Sequence, residues 1–143
     1  MFEKNKSEQL LRQYGLKVTS NRLLVLDVLM SSRTALSHGE IQKKIQGSRL
    51  DKVTLYRTLD TFVKHDIAHK VASEDRNWLY ALHPIDENDT VRNDHAHFIC
   101  DYCERIYCLP VETRNTVPLP ESEEGFVIRT HEYRLHGVCP QCH

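Results

Sequence analysis

The chain has 143 residues and a net charge of −1, a length suited to one large domain or two small ones. No apolar run is long enough to cross a bilayer, and the near-zero charge by itself neither demands nor excludes a nucleic-acid partner. Its distribution says more: 14 Lys+Arg stand against 9 Asp+Glu up to His83, and 5 against 11 beyond it, which implies different partners for the two halves. The opening Met-Phe-Glu-Lys-Asn-Lys-Ser-Glu is charged with no apolar core behind it, so no signal peptide and a cytoplasmic location are expected.

Ser7 to Tyr14 reads as a short helix stopped by Gly15. Thr19 or Ser20 can cap the next helix, whose Leu23, Leu24, Leu26, Val28, Leu29 and Met30 give the broad apolar surface of a central core helix. Ser37-His-Gly-Glu40 has the form of a capping box, with Ile41 and Ile45 on one face before Gly47 ends that helix. His38 reads as an exposed first-turn residue, because nothing near it in sequence completes a metal site. After the turn Ser48–Asp51, the segment Lys52–His65 buries Leu55, Leu59 and Phe62 as one stripe and leaves Lys52, Thr54, Tyr56 and Arg57 facing outward near its start. Two helices joined by a few residues, the second opening with Lys, Thr, Tyr and Arg, match a helix-turn-helix with its recognition helix in the major groove. A surface helix followed by an ordinary hairpin is the plainer alternative. Ile67–Ala72 and Trp78–Leu82, around the turn Ser73–Asn77, predict a β-hairpin wing.

His83 to Asp94 is polar, contains Pro84 and shows no periodicity, and reads as a hinge. The next stretch, Asp94–Cys108, carries two overlapping metal-binding patterns. His95 and His97 are two apart, so on a strand both would project from one face. Cys100-x2-Cys103 and the later Cys139-x2-Cys142 together supply the four ligands of a closed tetrahedral zinc site. Disulfides are the alternative, disfavoured by a reducing compartment. Cys108 is the odd thiol, either a small core residue or an additional ligand. Ile106, Tyr107 and Leu109 continue a strand, and Pro110, Pro118 and Pro120 make the segment beyond it irregular. Phe126–Val138 alternates as a long strand that returns Cys139 and Cys142 to the first pair.

With those motifs in hand, the sequence from about Gln9 to Cys142 resembles the ferric uptake regulator (Fur) superfamily of bacterial metal-dependent repressors. Four features carry the resemblance: Gly15-Leu-Lys-Val-Thr-Ser-Asn-Arg22, Val53-Thr-Leu-Tyr-Arg-Thr-Leu59, His95-x-His97-x2-Cys100-x2-Cys103, and Cys139-x2-Cys142. The implied fold is α+β: a winged helix-turn-helix DNA-binding domain over 1–83, a hinge over 84–94, and a small α/β dimerisation domain over 95–143 built on a four-cysteine structural zinc. The implied function is a transcriptional repressor, not an enzyme, in which a homodimer binds a palindromic double-stranded operator when a regulatory metal holds its wings in register. A zinc hydrolase would need a nearby general base, and beside the His-rich stretch only Asp94 and Glu104 are at hand, with no H-E-x-x-H motif.

Carried over onto this sequence, the resemblance makes Tyr56 and Arg57 the base- and phosphate-contacting pair and Lys17 a minor-groove contact, beside the Lys52 and Thr54 already noted. It makes Cys100, Cys103, Cys139 and Cys142 structural zinc ligands, and His95 and His97 the centre of the regulatory site. Where iron-, manganese- and peroxide-sensing relatives place a carboxylate and a histidine, this chain has Ala81 and Ala35. The zinc-sensing branch uses two other positions, here His83 and His69, so His69, His83, His95 and His97 form an all-imidazole set suited to Zn2+. Fe2+ or Mn2+ sensing, or a peroxide response, is the alternative within the family. Cys108 stands at the place of a family acidic ligand. Ala96 and Asn115 stand where many relatives have ligands of a third metal site, with Asp94 and His131 remaining.

Overall fold

A computed structural model describes residues 2–48, 50–73, 77–83, 95–110, 125–128 and 132–143. It divides into two units, Met1–His83 and Pro84–His143. The segment 84–94 read as a hinge lies outside the described residues, as do Asn115, Pro118, Pro120 and His131.

In the first unit, helix α1 (Phe2–Gln13) begins earlier than the Ser7 start expected from sequence. Ser7 lies inside the helix and is fully buried, and its hydroxyl donates to Asp27 Oδ1 and lies 3.4 Å from Met30 Sδ, tying α1 to the next helix. Gly15, at φ +72, ends α1 in a Schellman turn, with Leu16 N–H donating to Leu11 C=O at 2.8 Å and Gly15 N–H to Arg12 C=O at 3.0 Å. The buried Leu16 then packs into the core beside Leu11. Helix α2 (Ser20–Met30) is capped by Thr19, and its Val25, Leu26 and Leu29 are the buried ones.

Strand β1 (Leu36–Ser37) was not legible in the sequence, being only two residues long. Helix α3 (His38–Lys44) starts at the Ser37/Glu40 capping box, and α4 (Lys52–Lys64) starts at Asp51, whose carboxylate accepts from Thr54 N–H at 2.7 Å. α4 buries Leu55, Thr58, Leu59 and Phe62. It ends without a glycine, Asp66 taking the left-handed position at φ +61, with Ile67 N–H reaching back to Phe62 C=O at 3.0 Å. Strands β2 (Ala68–Ala72) and β3 (Trp78–Leu82) form an antiparallel hairpin, and β1 adds to the far edge of β3 in the order β1-β3-β2. Leu11, Leu26, Leu36, Ile41, Leu55, Leu59 and Phe62, all nearly or wholly inaccessible, make one core beneath this sheet. Helix-turn-helix α3–α4 followed by a wing is a winged-helix fold.

The second unit is a three-stranded sheet, β5-β4-β6, with β4 (His95–Cys100) central. β5 (Ile106–Pro110) pairs antiparallel with β4 across a tight turn, and β6 (Tyr133–Gly137) pairs parallel with its other edge. Gly137 lets the Phe98 ring approach closely, since a Cβ there would sit 3.3 Å from it and the ring would have to give. The long strand expected over Phe126–Val138 is not formed: Gly125–Ile128 carry no strand, with Phe126, Val127 and Ile128 exposed. The ladder partner sets the length, because Tyr133 already pairs with Ala96, next to the start of β4.

Candidate metal centre and nucleic-acid interface

The turn after β4 and the chain after β6 bring two Cys-x2-Cys pairs face to face. Glu104, at φ +61, turns the chain back so that its N–H donates to Cys100 C=O at 3.0 Å. Asp101 N–H donates to Gly137 C=O at 2.8 Å, and Cys142 N–H to Cys139 C=O at 3.1 Å. The four sulfurs of Cys100, Cys103, Cys139 and Cys142 lie within 4.8 Å of one another. Cys103 Sγ is 3.8 Å from Cys139 Sγ, far beyond a disulfide bond. A tetrahedron with Zn–S of about 2.3 Å has edges of about 3.8 Å, so the set fits a closed tetrathiolate zinc site.

Electrostatics sharpen that fit. Hydrogen bonds from the backbone N–H groups of Cys103 and Cys139 pull the Cys100 thiol down to about 6. Cys139 is also lowered: burial opposes ionisation, but a hydrogen bond from Tyr107 and the Cys142 N–H outweigh it. The same gathering of sulfurs drives Cys142 up to about 12, chiefly through Cys139. At Cys103 a hydrogen bond from the Arg105 N–H lowers the pKa, but burial together with Cys100 and Cys139 outweighs it and leaves the thiol raised. Two of the thiols are thus eased toward the thiolate and two are held back from it, a conflict that a divalent cation among the four sulfurs would remove.

Two other histidine-bearing pairs lie one in each unit. On the wing, His69 of β2 and His83 just after β3 have ring centroids 4.7 Å apart, because His69 pairs with Ala81 and His83 sits two residues on, on the same face. In the second unit, His97 pairs directly with Cys108 across β4 and β5, with ligand atoms within 4.8 Å. His97 is buried, and burial pushes the Cys108 thiol up to about 12. His95 occupies the first position of β4. Ala35 and Ala81 are both buried methyls.

The outer face of α4 presents Lys52, Arg57 and Tyr56, the last 47% exposed, while Thr54 is half-buried. Lys17 is exposed between α1 and α2, its carbonyl accepting from Arg22 Nη1 at 2.7 Å. At the tip of the wing Trp78 is 54% exposed, with Lys70 Nζ 5.4 Å above its ring.

The ferric uptake regulator family profile matches residues 13–136, spanning both units. The chain belongs to the ferric uptake regulator family. Among its relatives, the ferric uptake regulation protein of Haemophilus influenzae is 27% identical over 138 residues, covering 92% of this chain and 88% of that protein. The peroxide operon regulator of Bacillus subtilis is 24% identical over 135 residues, with the same coverage. Among solved structures, a zinc uptake regulator complexed with zinc and DNA superposes with a TM-score of 0.69 at 25% identity, covering 97% of this chain and 91% of that one.

Fur-family proteins are metal-dependent DNA-binding transcription regulators. The reading of His38 from sequence is corrected by the structure. It is buried, not exposed: its ring stacks on Tyr56 with centroids 3.7 Å apart and planes 18° from parallel, and its Nε2 lies 3.3 Å from Lys52 C=O. Position in α3 alone gave no sign of this, since the partner lies on another helix. The His69–His83 juxtaposition likewise follows from hairpin register, not from spacing.

Proposed function

We propose that this Fur-family regulator is a zinc-responsive repressor that binds a palindromic operator as a homodimer and controls metal-uptake genes. In this reading Cys100, Cys103, Cys139 and Cys142 hold a structural Zn2+. His69, His83, His95 and His97 are the regulatory ligands, and Cys108, beside His97, is a further candidate. The observation that carries the zinc assignment is the His69–His83 imidazole pair on the wing, together with buried alanines where oxygen- and imidazole-donating relatives have ligands. Nitrogen and sulfur donors without a carboxylate favour Zn2+ over Fe2+ or Mn2+.

The regulatory logic is differential binding. His69 and His83 belong to the first unit, and His95 and His97 to the second, so ligands drawn from both favour one arrangement of the units. A useful population change needs about 3–5 kcal/mol of preference for it. Tyr56 and Arg57 then meet base edges and phosphate, Lys17 reaches the minor groove, and Lys52 and Thr54 meet DNA beside them at the start of α4.

The test is a DNA-binding titration of the full chain, its four-cysteine site filled, with free Zn2+, Fe2+ and Mn2+ buffered separately. The duplex is one enriched by the protein from a random pool. Tight binding at trace Zn2+, lost in His83→Ala, is the expected result. Binding driven by Fe2+ or Mn2+ and indifferent to His83 would overturn the zinc assignment, and binding indifferent to every metal would remove the regulatory site.

A further inference from the structure

Resting on the DNA-binding reading above, we propose that His38 is a positioning residue for operator recognition. It fixes the ring of Tyr56, and with it the first turn of α4, in the pose that meets DNA.

Three observations converge on it. The imidazole covers one face of the Tyr56 ring at 3.7 Å and 18°, while Tyr56 keeps 47% of its surface open. An exposed tyrosine on a helix would otherwise sample several rotamers, and ordering it on binding weakens affinity. Stacking settles the ring before DNA arrives. Second, Nε2 faces Lys52 C=O at 3.3 Å, and a carbonyl only accepts, so the proton belongs on Nε2. Lys52 is the first residue of α4, which makes this contact a clasp on the helix end that carries Lys52, Tyr56 and Arg57. Third, His38 stands on a fixed base: it is the first residue of α3, held inside the Ser37/Glu40 capping box and three before the fully buried Ile41. An aliphatic side chain would fill the volume without the donor, and a polar one would donate without the stacking face.

The experiment uses the full-length, zinc-supplemented chain and a duplex enriched from a random pool by the wild type, with a scrambled duplex for non-specific affinity. Variants are His38→Ala, His38→Phe, Tyr56→Ala and the His38→Ala/Tyr56→Ala double. His38→Ala is expected to weaken enriched-duplex binding about threefold to tenfold per bound recognition helix, the range of an aromatic pair. Scrambled-duplex affinity stays unchanged, the loss disappears in the Tyr56→Ala background, and His38→Phe restores most of it by keeping the stack. Equal losses on both duplexes, or the same loss in the Tyr56→Ala background, would make His38 mere support for the fold and overturn the proposal. So would a loss in Tyr56→Ala with none in His38→Ala. If His38→Ala does not fold, His38→Phe is compared with His38→Gln: near-native binding by Phe and weakened binding by Gln supports the proposal, and the reverse overturns it. Should no duplex be enriched, or Tyr56→Ala bind as wild type, the DNA reading itself fails and takes this one with it.

Discussion

A buried imidazole beside a lysine is hard to protonate, and opposing influences act on His38. Burial is the largest and lowers its pKa below the ordinary histidine value; the Lys52 carbonyl raises it, and the Lys52 ammonium lowers it again. The groups facing it from α4 are Lys52 and Tyr56. With a folded-state pKa below that of the unfolded chain, the unfolded state takes up a proton first as acidity increases. The stabilisation is therefore complete above about 6.5 and is lost as pH falls through the lowered folded value. The expected outcome is a thermal midpoint that drops more steeply on acidification below about 6.5 in the wild type than in His38→Phe. Parallel pH slopes in differential scanning would show that His38 does not titrate with folding.

At the scale of elements, local chemistry was readable and partner-dependent structure was not. The capping box at Ser37 and Glu40, the stop at Gly15 and the buried stripe Leu55, Leu59 and Phe62 each depend on residues within one or two turns, and the structure contains all three. β1 has two residues and exists because β3 offers it an edge. The over-long strand expected through Phe126 reflects the opposite problem: alternation says a segment can pair, and only the partner says how far. The first helix was expected to start at Ser7, yet Ser7 lies inside it, its burial against Asp27 set by packing of α1 on α2. The capping box itself is testable. Ser37→Ala removes the hydroxyl that accepts from Glu40 N–H at 3.1 Å, so it is expected to lower unfolding stability by about 1 kcal/mol, read as a shift of the urea midpoint at unchanged slope. No shift would mean that the start of α3 is held by its neighbours alone.

Over the whole molecule, convergence of the four cysteines was legible from spacing, because two Cys-x2-Cys turns are built to share an ion. The histidine pairs were legible only through resemblance, since register places His69 beside His83 and His97 beside Cys108. The sulfur cluster links the β4–β5 turn to the chain beyond β6. Replacing Cys142 by Ser is therefore expected to release one equivalent of Zn2+ and to deprotect the amides of Tyr133–Gly137, while α1–α4 keep their exchange protection. Zinc content by elemental analysis and hydrogen exchange by mass spectrometry read the two effects separately. Retained zinc with unchanged exchange would remove Cys142 from the site.

The exposed indole at the wing tip has a consequence for optical work on this protein. Trp78 is the chain's single tryptophan, and more than half of it meets solvent in the folded protein. Its emission is therefore expected to have the colour of a hydrated indole already, so that denaturation adds little further wavelength shift and tryptophan fluorescence underreports unfolding. The same exposure makes it an intrinsic dye for whatever dries the wing: any surface that settles on β2 and β3 displaces water from the ring and disturbs the Lys70 ammonium above it. A blue shift there would register contact at the wing without a label being attached.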